Sequence, residues 1–411
     1  MTSGHAYVII YAKTCPEVSA VKNDQPRTKD KTVKHKLCRW GMGVVVMMMT
    51  GITAASALYS DHERAAETVA PHEGRHGRIV MYAYDGGNLS LRDEHAHLID
   101  QLNFSFALIE NGEATGDHWR NIEVVERYLR RNPHIDGVVS VGGWGAEGFS
   151  DACATAEGRQ KLADSILTLM DAHGFVGVDI DWEYPGSSAA GIVSRPEDEE
   201  NWYELLALLR AGLDERQSER GRDYLLSVAI GCGEEQLQAV NGGKLDKLVD
   251  QAVLMTYDLS GFDKITGHHS GLYPNEDRRN SGARAVKLMA ESGLSEGKML
   301  LGFPSYAKVW RQVSGGGTGL NQRAATSGNK SIGFDEQLAL ESQGYTAHYD
   351  ESACAAYWFN GENFVSGENQ RSIDEKITWL RANDMLGCAV WSWNSDPNSN
   401  MASMLDAALR K

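Results

Sequence analysis

Eight short runs rich in β-branched and apolar residues recur between residues 78 and 393, and several of the gaps between them carry a helical pattern. The runs are RIVMYAY (78–84), LIDQLNFSFALI (98–109), HIDGVVSVGG (134–143), FVGVDIDW (175–182), YLLSVAIG (224–231), QAVLMTYD (251–258), KMLLGFPSY (298–306) and GCAVWSW (387–393). In the gap TAEGRQKLADSILTLMDAHG, Leu162, Ile166, Leu169 and Met170 share one helical face, and Gly174 suits the position just past the helix end. In ENWYELLALLRAGLDE, Trp202, Leu205, Leu206, Leu209 and Leu213 do the same. Strands that alternate with helices pair in parallel, and eight of them predict an α/β fold, the closed (β/α)8 TIM barrel. One gap is too long for a single helix: about eighty residues separate Tyr306 from Gly387. Its pieces GGGTG, YTAHYD and AAYWFNGENFVS read as short strands. A small α+β insertion over about 312–371, between strands seven and eight, is therefore expected. No internal repeat is evident.

The overall composition, 42% hydrophobic and 23% charged over 411 residues, is that of an ordinary globular protein. Its formal charge of −16 is unevenly spread. Residues 1–39 carry a net +5, which leaves the remainder at −21. Such an acidic body repels nucleic acid and is not drawn to anionic lipid, whereas a neutral substrate is indifferent to it. The six cysteines form no CxxC pair, which removes the zinc and thioredoxin spacings. The four in the body, Cys153, Cys232, Cys354 and Cys388, read as buried free thiols, with a non-local bridge as the alternative.

The N-terminal part has a logic of its own. Residues 40–59 (WGMGVVVMMMTGITAASALY) hold no charge, follow the basic stretch KDKTVKHKLCR and contain the small triplet Ala55-Ser56-Ala57. This is a secretory signal pattern, with cleavage expected after Ala57 and a secreted or periplasmic product. A retained membrane anchor through 40–59 and a soluble helix are the competing readings. We therefore divide the chain into a leader (1–59), a linker (60–77) and a catalytic barrel (78–411). The basic region sits most compactly before the apolar core if translation starts at Val33, so that start is expected.

Within GFVGVDIDWEYPG, Asp179, Asp181 and Glu183 alternate with Val178, Ile180 and Trp182. Side chains alternate along a strand, so the three acids share a face and the apolar residues take the other. On the fourth barrel strand the acids point to the axis, and Glu183 comes last, at the C-terminal mouth where barrel enzymes keep their chemistry. A solvated acidic face does not suit such apolar flanks. A calcium loop needs glycine at its sixth position, where Tyr184 stands. General acid chemistry remains, since crowded and desolvated carboxyls retain a proton near neutral pH.

The stretch resembles the D-G-x-D-x-D-x-E signature of the family 18 glycoside hydrolases, the chitinases. SVGG (Ser140, Gly142, Gly143) resembles that family's S-x-G-G motif on strand three, MTYD (Met255 to Asp258) its strand-six motif, and NFSF (103–106) its strand two. Trp391 in AVWSW resembles the tryptophan that floors the cleft on strand eight. The insertion resembles that of the deep-cleft subfamily. Two departures stand out: Val176 replaces the first Asp of the signature, and Lys308 in SYAKVW stands where relatives often place Arg. Lys cannot form the same planar fork.

The resemblance implies hydrolysis of β-1,4-linked N-acetylglucosamine in chitin or chito-oligosaccharides, with retention and assistance from the substrate's own acetamido group. Glu183 would be the proton donor. Asp181 would hold the acetamido N–H, Asp179 would share a proton with Asp181, and Tyr257 would donate to the acetamido oxygen. Ser140 would support the aspartate pair, Asp258 would bind the distorted sugar, and Trp391 would stack beneath it. Trp144, Phe106, Tyr184, Met255, Tyr82 and Tyr306 would line the cleft. No cofactor and no metal is implied, and the protein is expected to act as a monomer. A non-catalytic lectin, an endo-β-N-acetylglucosaminidase on N-glycans and a peptidoglycan hydrolase are the rival readings. GLSEG (293–297) matches a nucleophile elbow but follows a helix instead of a strand, SGGGTG lacks the lysine of a P-loop, and His268-His269 reads as a solvated loop pair.

Overall fold

The computed structural model describes residues 76–275 and 279–411. The leader, its signal-peptide or anchor reading, the Val33 start and nearly all of the linker fall outside those residues.

Each of the eight runs forms a strand: β1 Arg78–Tyr84, β2 Gln101–Glu110, β3 Asp136–Gly142, β4 Gly177–Asp181, β5 Leu225–Gly231, β6 Gln251–Met255, β7 Met299–Pro304 and β8 Gly387–Trp391. Neighbours in this order pair in parallel, and β1 pairs with both β2 and β8, so the sheet closes on itself. The longer helices are α1 Ile122–Arg131, α2 Ala156–Ala172, α3 Asp198–Arg220, α4 Gly282–Glu291, α5 Gln370–Ala382 and α6 Asn400–Leu409. Helix α2 starts where the Thr155 hydroxyl accepts the Gly158 N–H, satisfying one orphan donor of its first turn. It buries Leu162, Ile166, Leu167 and Met170; Leu167 takes the core place expected for Leu169, which is half-buried.

Alternation sorts the strand residues into two layers. Val178, Ile180 and Trp182 join the large apolar core between the strands and the helices. The barrel interior is divided by chemistry. One side is apolar, with Val80, Val253, Leu300 and Ala389 packed together. The other is polar and fully buried, with Gln101, Asn103, Ser140, Asp179 and Ser227. Burying these polar groups is tolerable only where they bond to one another. In part they do: the Gln251 amide donates to Gln101 (2.9 Å), and Gln101 donates to Asn103 (2.7 Å), while Asn103 Nδ2 and Gln251 Oε1 have no partner among the described residues.

Between β7 and β8 lies a five-stranded antiparallel sheet in the order 330–333, 306–310, 364–367, 355–359, 346–350, with a short helix at Phe334–Leu338. It starts at Tyr306, ahead of the expected boundary near Gln312. The run KMLLGFPSY divides at Ser305, whose N–H donates to Trp391 O (2.9 Å) and whose hydroxyl donates to Ser392 O (2.6 Å). Ala307 and Val309 pack into one small core and Trp310 into another.

Candidate active site

The strand register builds the base of the site. Ser140 on β3, Asp179 on β4 and Ser227 on β5 stand directly opposite one another, and all three are fully buried. Asp179 therefore meets a hydroxyl on each side. Ser140 Oγ donates to Oδ2 at 2.6 Å, Ser227 Oγ donates to Oδ1 at 2.7 Å, and the Tyr82 hydroxyl reaches Oδ2 from β1 at 3.0 Å. Burial raises the Asp179 pKa, and these donors oppose the rise.

Asp181 ends β4 one step nearer the mouth. Its backbone carbonyl accepts the Gly143 N–H (2.8 Å), which locks the β3–β4 exit. Gly142 has φ +115°, and a Cβ there would lie 2.2 Å from Asp181 O, so only glycine fits this approach. Asp181 Oδ1 is buried without a hydrogen-bond partner among the described residues. Burial, then the charges of Glu183 and Asp179, holds this carboxyl well above the usual carboxylate range. Glu183 follows, 9% exposed. Burial pushes it up to about 7; the Asp258 charge adds to the rise and the Tyr184 hydroxyl opposes it. Tyr257 follows β6, and burial together with the charges of Asp181, Glu183 and Asp258 keeps its phenol protonated. Glu183, Asp181 and Tyr257 thus lie near enough for the two carboxyl charges to act on one another and on the phenol, which sets a carboxyl raised to about 7 near a second raised carboxyl and a hydroxyl donor at the mouth.

Asp258 forms the second polar group. It adopts φ +55°, a left-handed conformation that aspartate tolerates better than most residues. Its Oδ1 accepts the Tyr306 hydroxyl at 2.6 Å and lies 3.1 Å from Lys308 Nζ and 3.6 Å from His269 Nδ1. Burial alone would raise its pKa, but His269, Lys308 and Tyr306 together hold it down to about 2. Lys308 thus occupies its slot as a buried point charge paired with Asp258. The expectation of a solvated histidine pair is corrected here. His269 is fully buried and His268 is 5% exposed. His268 Nε2 lies 2.9 Å from Asp350 Oδ2, so it ties the loop after β6 to the insertion. Sequence gave no sign of this because the partners come from a segment some eighty residues away.

Aromatic residues gather around the mouth. Trp391 stacks on Phe106 (5.5 Å between centroids, 24° between planes) and also meets Tyr82 and Tyr84. Tyr184 meets Trp144 edge-on at 6.3 Å. Trp144 is 57% exposed and Phe262 69%, and Lys308 Nζ lies 5.3 Å from the Phe262 ring centre. Met255, at the end of β6, is half-buried. Sequence reasoning missed Tyr84, Phe262, Ser227 and His269. Ser227 was within reach: it lies on the strand next to Asp179, and its inward, in-register position follows from the same alternation that revealed the acids.

A family model described as glycosyl hydrolases family 18 matches residues 78–396. Chitinase A1 of Niallia circulans is 30% identical over 332 residues, which are 73% of this chain and 47% of that protein. This chain therefore spans about half the length of that relative. Chitotriosidase-1 of Mus musculus is 28% identical over 331 residues, 74% of this chain and 68% of that protein. Among solved structures, the family 18 N-acetylglucosaminidase from Paenibacillus barengoltzii superposes with a TM-score of 0.77 at 30% identity, covering 81% of this chain and 100% of that one. The acidic row at the mouth of β4, the closed barrel and these likenesses agree, and the chain belongs to glycosyl hydrolases family 18.

Proposed function

We propose that this protein hydrolyses β-1,4 linkages between N-acetylglucosamine units, in chitin or chito-oligosaccharides, with retention of configuration. The observation that carries the reading is the row Asp179–Asp181–Glu183, in which burial raises Glu183 to about 7 and Asp181 Oδ1 is left without a hydrogen-bond partner among the described residues. The names of the relatives, chitinase and chitotriosidase among them, support the substrate class.

Glu183 gives its proton to the glycosidic oxygen as the C1–O bond breaks. The acetamido carbonyl oxygen of the same sugar bonds to C1 and closes an oxazolinium ring. Asp181, its proton passed to Asp179, accepts the acetamido N–H and balances the positive charge, and Tyr257 donates to the acetamido oxygen and aims it. Water then loses a proton to Glu183 and attacks C1, which reopens the ring on the original face. Trp391 and Phe106 give the sugar an apolar floor, Tyr184 and Trp144 extend it, and Asp258 fixes a sugar hydroxyl. Asp179, in its cage of three hydroxyls, sets the charge beneath Asp181, and the two titrate together.

A fluorogenic chitobioside tests this reading. Cleavage of it, with no cleavage of the matching cellobioside or a high-mannose glycopeptide, is expected. Efficient cleavage of the cellobioside would rule out acetamido assistance. A second reading, release of single N-acetylglucosamine units, draws on the Paenibacillus barengoltzii enzyme, whose whole length this chain covers. Products from a chitin hexamer separate the two: monosaccharide alone at early times supports it.

A further inference from the structure

We infer that His269 is a positioning residue for Asp258, bonding the backbone N–H of the next residue and facing its carboxylate so that the carboxylate meets the sugar in one orientation. The inference rests on the hydrolase reading above. His269 lies in the loop between β6 and α4 and is fully buried. Its carbonyl accepts the N–H of Leu259, the residue after Asp258, at 3.0 Å. Its own N–H donates to Ser366 Oγ on the insertion sheet at 3.1 Å. The left-handed turn at Asp258 is thus tied to the insertion through one residue.

The side chain completes the grip. The imidazole packs 5.3 Å from the Tyr306 ring, and its Nδ1 faces Asp258 Oδ1 at 3.6 Å. Both ring nitrogens lack a hydrogen-bond partner among the described residues. A buried N–H without an acceptor is costly, and a small closure onto Oδ1 would satisfy it. The groups facing the ring are Asp258, Lys308 and Glu368, with Tyr306 packed on it. Burial lowers the imidazole pKa, which leaves it neutral at neutral pH. Its contribution is therefore an N–H and a shape, while Lys308 supplies the charge. All three contacts press on Oδ1, which leaves Oδ2 for the cleft. His269 touches Asp258 and does not reach the reacting atoms.

The test compares His269→Met, which fills the space without a donor, with His269→Gln, which keeps one. In protein labelled with carboxyl-13C aspartate, the Asp258 resonance is expected to titrate about one pH unit higher in H269M than in wild type, about the tenfold change in proton affinity that one such bond supplies. In H269Q it stays near the wild-type value. The KM for the fluorogenic chitobioside rises about tenfold in H269M, with kcat changed less. The sign is that of a carboxylate held low: its ionised form is the working one, and losing a donor lets it protonate at higher pH. Asp258 titrating in H269M as in wild type, or H269Q matching H269M, would overturn the inference. Should H269M not fold, His269→Leu, which also lacks a donor, replaces it, and an unmoved Asp258 there overturns the inference as well. If wild type leaves the chitobioside intact, the hydrolase reading falls, and the titration still decides the role of His269.

Discussion

Replacing Glu183 with glutamine should make the folded protein more stable at pH 8 and leave its stability unchanged at pH 4. The Glu183 carboxyl is 9% exposed and is raised from 4.5 to about 7. The native state therefore binds this proton more tightly than the unfolded chain does. For an acid shifted upward, stability is complete below the unfolded value and is lost as pH rises from 4.5 through about 7. Holding the ionised carboxylate in place at pH 8 costs about 3 kcal/mol. Glutamine has the same shape and no charge, so Glu183→Gln recovers that cost at pH 8. For a body of this size the gain corresponds to about 4 °C in Tm. Differential scanning calorimetry of both proteins from pH 4 to 8 measures it. A Tm difference that does not change with pH, or a variant less stable than wild type at pH 8, would refute the reasoning.

Three further outcomes are expected. Asp181→Asn and Tyr257→Phe should each lower kcat on the chitobioside by about 10²-fold with KM changed little, as for the loss of one transition-state contact; steady-state kinetics decides. Ser227→Ala removes one of three hydroxyl donors to a fully buried carboxylate and should lower kcat about tenfold or more, while Ser227→Thr keeps the hydroxyl and most of the rate. Lys376→Met leaves Glu368, which is fully buried, with the Ser270 and Ser372 hydroxyls as its side-chain donors among the described residues. It should cost about 3–5 kcal/mol in urea unfolding, and Lys376→Met with Glu368→Gln should recover part of that.

The barrel was legible because its signal is local. Each strand had its own apolar run, and period-two alternation in DIDWE gave the inward face without any tertiary information. Glu183, Asp181 and Asp179 could be read from that stretch alone. The boundary at Tyr306 was not legible, because FPSY carries no turn signal and the break at Ser305 comes from bonds to Trp391 and Ser392, far along the chain. Lys308 could be read as a departure, but its pairing with Asp258 depends on the insertion strand passing beside the β6 exit. His269 was invisible for the same reason: a polar loop sequence gives no hint that the insertion will cover it. Local pattern placed the acids, and distant segments set what surrounds them.

Everything in the proposed reaction depends on Glu183 as the proton donor. Turnover of the fluorogenic chitobioside by Glu183→Gln, measured beside calorimetric binding of a chitin hexamer to the same protein, tests it most directly. A fall in kcat of about 10³-fold with binding retained is expected. A kcat near that of wild type would contradict it.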